Sequence, residues 1–81
     1  MLTTKIVRAA IKQAVSEYNA NVFGTWSDKR PAGGMYVVFR VSRISVCNIT
    51  DLATRANKIL NSNIVHTTTS RNNYYLRATV V

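Results

Sequence analysis

Apolar and polar residues change rhythm along this chain, and each change marks an element. Over residues 4–19, Val7, Ile11, Ala14 and Tyr18 recur at helical spacing, with Thr3 or Thr4 placed to cap the start. Asn19 to Asn21 ends that helix, and Val22 to Trp26 predicts a short strand. From residue 35 the period becomes two. Met35, Val37, Phe39 and Val41 take one face; Tyr36, Val38, Arg40 and Ser42 take the other. This predicts a central strand over 35–46, with a bulge near Ser42-Arg43, where the apolar parity switches to Ile44 and Val46. Helical spacing returns at Leu52, Ala56, Ile59 and Leu60, predicting a helix over 50–61 capped by Asn48 or Thr50. Asp51 and Arg55 stand four apart on its outer side, beside Lys58. Residues 64–69 and 73–80 read as a hairpin turned by Ser70-Arg71-Asn72-Asn73. In its last strand Tyr74, Leu76, Ala78 and Val80 oppose Tyr75, Arg77 and Thr79. The preceding IVHTTT is compatible with either face.

The predicted order is helix, strand, strand, helix, strand, strand. It implies an α+β two-layer sandwich, two helices on one face of a mainly antiparallel sheet. It is also the order of a split β-α-β pair whose first strand has moved to the end, a permuted ferredoxin-like arrangement. With 81 residues the chain reads as one small stand-alone domain, 1–81, whose core and stability margin are limited. Between the first two strands lies SDKRPAGG, residues 27–34, holding the single proline and two of the three glycines. It predicts a mobile hairpin loop with Lys29 and Arg30 at its centre. It lacks the spacing and the Lys-Ser/Thr pair of a phosphate-binding P-loop.

Charge changes the picture most. Eleven Lys and Arg face three acids, for a net charge of +8. That excess favours an anionic partner: nucleic acid, an anionic membrane surface or an acidic protein. The acids and the one histidine, His66, are scattered, so no carboxylate pair or nucleophile–base set suggests an enzyme. One Cys and one His cannot close a zinc site, and no cofactor motif is present. Cys47 cannot form an intrachain disulfide; it reads as a buried small hydrophobe in a reducing, cytoplasmic setting. No run of 18 apolar residues or secretory h-region occurs. MLTTKIVRAAIKQAVS has the acid-free basic composition of a transit peptide, but its apolar stripe reads as a structural helix. The Asn48-Ile49-Thr50 sequon carries no weight without a secretory signal.

Two helices on one sheet face leave the other face open. The alternation predicts that this face shows Tyr36, Val38, Arg40, Tyr75, Arg77 and Thr79, with His66 nearby. Rings on an open sheet stack bases, at about 1–3 kcal/mol each, while arginines meet phosphates. The expected function is therefore non-catalytic binding of nucleic acid, single strands favoured. Lys5, Arg8 and Lys12 on the first helix, with Lys29 and Arg30 in the loop, would add phosphate contacts. GGMYVVFRV departs at most positions from the RNA-recognition signature K/R-G-F/Y-G/A-F-V-x-F/Y, so membership of that family is not implied. The second expectation is a protein-interaction module that docks on an acidic surface or pairs through a strand edge, with Trp26 and Tyr75 mattering more to binding than any single lysine. Such a module would be an inhibitor, adaptor or assembly subunit of the kind viruses and mobile elements encode, and it would allow a homo-oligomer or a place in a larger particle.

Overall fold

The computed structural model describes residues 2–41, 49–70 and 73–80. The elements are α1 (Thr4–Glu17), β1 (Val22–Lys29), β2 (Met35–Val41), α2 (Ile49–Leu60), β3 (Val65–Ser70) and β4 (Asn73–Val80). The four strands form one sheet in the order β1-β2-β4-β3, each neighbouring pair antiparallel. Strands β2 and β3 are both antiparallel to β4 and so parallel to each other. The unit β2-α2-β3 is thus a β-α-β split by β4. By the same reasoning β4 and β1 run parallel with β2 between them, which is the permuted order anticipated above.

Both helices lie on one face. The core joins Val7, Ile11 and Ala14 of α1 and Leu52 and Ala56 of α2 to Val37, Phe39 and Val41 of β2 and Leu76, Ala78 and Val80 of β4. These sheet residues are the ones the alternation assigned inward. Tyr18, expected in the α1 stripe, is half-buried at the C-cap, and Ile59 of α2 packs partly buried against the core.

Helix ends follow local chemistry. Thr3 Oγ1 accepts from the Ile6 amide at 3.2 Å and caps α1. Both helices stop in the same way, with an asparagine at positive φ: Asn19 at 55° and Asn61 at 52°. The amides of Ala20 and Ser62 reach back to the Val15 and Asn57 carbonyls at 3.0 and 2.9 Å, closing Schellman-type ends. The helices are tied by Arg55, whose Nε donates to Glu17 Oε1 at 2.8 Å. That bond, with help from Gln13, holds the Glu17 carboxyl below its ordinary value of 4.5. Asn57 of α2 clamps the first residue of β3, donating to the Val65 carbonyl at 3.0 Å and accepting from its amide at 2.8 Å.

The main correction concerns residues 27–34. Ser27, Asp28 and Lys29 are strand, paired with Val37, Tyr36 and Met35, so β1 is longer than the short strand expected. The loop shrinks to a tight turn in which Gly33 donates to the Arg30 carbonyl and Arg30 to the Gly34 carbonyl, each at 3.1 Å. Gly33 and Gly34 take φ of 97° and 82°, where side chains with a Cβ are strained. A bulge occurs in β1, where the register shifts between Val22 and Gly24 and leaves Phe23 as the extra residue. The bulge expected at Ser42-Arg43, the burial of Cys47, the Asn48 cap and the Arg71-Asn72 part of the last turn lie outside the described residues.

Candidate functional site

The sheet face away from the helices is built in rows, because opposite residues in antiparallel register share a face. One row crosses all four strands: Trp26 lies opposite Val38, Val38 opposite Arg77, and Arg77 opposite His66. The next row is Gly24, Arg40, Tyr75 and Thr68. On the other side Asp28 faces Tyr36, and Tyr36 faces Thr79. The pleat thus brings Tyr36, Arg40, Tyr75, Arg77 and Trp26 together on one surface, with His66 exposed in the adjoining strand.

Side chains lock across the rows. The Trp26 ring meets Tyr75 edge-on, with centroids 6.3 Å apart and planes at 77°. Gly24 leaves room beside the indole: a Cβ there would stand 3.7 Å from Trp26 Cζ3. The Trp26 indole N–H donates to Asp28 Oδ2 at 3.0 Å. Two cations stand over Tyr36, the Arg77 guanidinium at 4.8 Å from its ring centre and Arg30 at 5.6 Å. Val38 sits beneath this cover; it belongs to the outer face yet is only 8% exposed. Between these groups lies an open hollow of about 430 Å³ lined by Trp26, Asp28, Tyr36, Val38, Thr68 and Tyr75, with Lys29 and Arg77 also at its wall. Its size is within the range of small-molecule sites.

Not all of the anticipated cations gather here. Lys5, Arg8 and Lys12 border a separate hollow of about 450 Å³ on α1, in the helical layer. Arg8 is half-buried, and its guanidinium donates to Ser27 Oγ on β1. Lys29 is paired with Met35, which gives it the register of the helix side, although it touches the rim of the open hollow. Arg30, by contrast, turns onto the open face over Tyr36.

Phe23 is the residue that alternation missed. It is 65% exposed, and the Arg40 guanidinium stands 5.7 Å from its ring centre. As the bulged residue it belongs to neither face of the regular pattern. The glycine that follows it is the signal that could have marked the irregularity.

Among the described residues no three His, Cys, Asp or Glu side chains converge as metal ligands, and no helix is long and apolar enough to cross a membrane. Comparison with family models, with curated proteins and with solved structures finds no match, so the functional reading rests on the geometry alone.

Proposed function

We propose that the protein binds single-stranded nucleic acid, without catalysing a reaction on it, across the open face of its sheet. One observation carries the reading. Rings of Trp26, Tyr36 and Tyr75 and guanidinium groups of Arg30, Arg40 and Arg77 occupy one surface of a chain with net charge +8. Base faces stack on rings regardless of sequence, and arginines neutralise the phosphates between them. A duplex hides its base faces, so the rings favour a single strand.

The test is titration of the protein against labelled single- and double-stranded oligonucleotides at two salt concentrations. Tight single-strand binding that weakens steeply with salt supports the reading. An absence of binding at low salt ends it.

A second reading draws on β1, an edge strand in which no residue is buried and which shows Phe23 and Trp26 to solvent. An acidic segment of another protein could add a strand there. That reading predicts a stoichiometric protein complex broken by truncating Trp26 or Phe23 more than by neutralising any one lysine.

A further inference from the structure

The open face carries a group that polyanion binding by itself disfavours: a carboxylate. Of the chain's three acids, Glu17 is on α1 and Asp51 on α2, so Asp28 is the one on the sheet. The Trp26 indole N–H, at 3.0 Å from Oδ2, holds this carboxylate at the wall of the aromatic hollow. Among the described residues it takes no Lys or Arg into an ion pair, so it does not serve to fix an arginine. A carboxylate offers about four lone-pair sites, and the indole uses one. The remaining acceptors face the question of which donor they meet.

On the nucleic-acid reading above, on which this inference rests, we propose that the hollow takes a single unpaired guanine and that Asp28 selects it. The Watson–Crick edge of guanine presents two adjacent donors, N1–H and the N2 amino group, which match the two oxygens of a carboxylate. Adenine and cytosine each present one amino donor beside a ring acceptor, which a carboxylate repels. Thymine and uracil present one imino donor between two carbonyls. Single-stranded bases expose this edge for recognition. Trp26 and Tyr75 supply the apolar walls against which the base lies, with Thr68 also in the lining. Arg40 and Arg77 remain for the flanking phosphates.

The experiment compares short thymidine tracts that carry one central guanine, one central hypoxanthine, or neither. Hypoxanthine keeps the N1–H but lacks the amino group. Fluorescence anisotropy is expected to show the guanine strand binding about tenfold tighter than the other two. Asp28→Asn, with its fold checked by circular dichroism, is expected to lose this preference, because an amide presents one acceptor and one donor. Equal affinity of the wild-type protein for the three strands overturns the inference and leaves the nucleic-acid reading standing; this comparison needs no variant. A guanine preference that survives Asp28→Asn also overturns the role given to Asp28. If no strand binds even at low salt, the nucleic-acid reading itself fails, and the inference with it.

Discussion

Phe23 and Phe39 are both rings on the same sheet, and they show how position decides what a residue does. Phe39 is fully buried beneath the helices, while Phe23 is 65% exposed at the bulge. Truncating a buried Phe costs about 3–5 kcal/mol, a large share of the stability of a small domain. Phe39→Ala should therefore lower the thermal midpoint sharply or prevent folding. Phe23→Ala should leave the midpoint nearly unchanged and weaken single-strand binding only through its contact with Arg40, by less than the value of one stacked base, about 1–3 kcal/mol. Thermal unfolding and anisotropy on the same two variants check this; a stable Phe23→Ala with undiminished affinity removes that ring from the interface. Residue by residue, most of the platform was legible. Tyr36 and Arg40 alternate against Val37 and Phe39, and Tyr75 and Arg77 against Leu76 and Ala78, so parity alone assigned their faces. Parity says nothing of register, which is what sets Arg40 opposite Tyr75 and Val38 opposite Arg77. It was silent on Asp28, whose local context of Lys, Arg, Pro and Gly resembles a loop.

At the scale of elements, legibility followed burial. The strands β2 and β4 and both helices bury an apolar stripe, and their periods stand out. The strand β1 buries nothing: Thr25 and Ser27 hold the helix-side positions, opposite Phe39 and Val37. It is held by backbone pairing to β2 and by Arg8 reaching Ser27, and neither leaves a hydrophobic period to read. The links between elements are polar and can be tested singly. Asn57 satisfies both the amide and the carbonyl of Val65, a buried residue. Asn57→Ala strands these groups, and each unsatisfied buried polar group costs about 1–3 kcal/mol. Urea unfolding should show a lower midpoint with an unchanged slope; an unchanged midpoint would mean that water replaces the clamp. The bridge between helices is sensitive to pH. The Arg55 hydrogen bond lowers the Glu17 pKa in the folded chain relative to the unfolded one. Its stabilisation is then fully present above 4.5 and is lost as pH falls through the lowered folded value. Both side chains are more than a third exposed to solvent, so the effect is small. Glu17→Gln should melt slightly below the wild type at neutral pH, and the gap should close in acid. A gap that persists in acid would assign the loss to something other than the charge.

Over the whole molecule, cations among the described residues stand in two layers, and the layers predict different behaviour. Arg30, Arg40 and Arg77 stand on the open sheet face among the rings, whereas Lys5 and Lys12 stand on α1 in the helical layer. Packed layers are separated by about 10 Å. The Debye length at physiological salt is about 8 Å, so the field of the helix cations is mostly screened before it reaches a strand on the sheet face. A phosphate in direct contact with an arginine is screened far less, and each such contact adds about one unit to the salt slope of log K. The double variant Arg40→Gln/Arg77→Gln should therefore weaken single-strand binding by more than about tenfold and flatten the slope by about two units. Lys5→Gln/Lys12→Gln removes the same formal charge, two units, yet should change affinity by less than about threefold and leave the slope nearly intact. Equal losses from the two double variants would mean that the strand wraps the β1 edge and touches both layers. The reverse order, with the lysines dominant, would move the binding surface to α1 and leave the aromatic face for another partner.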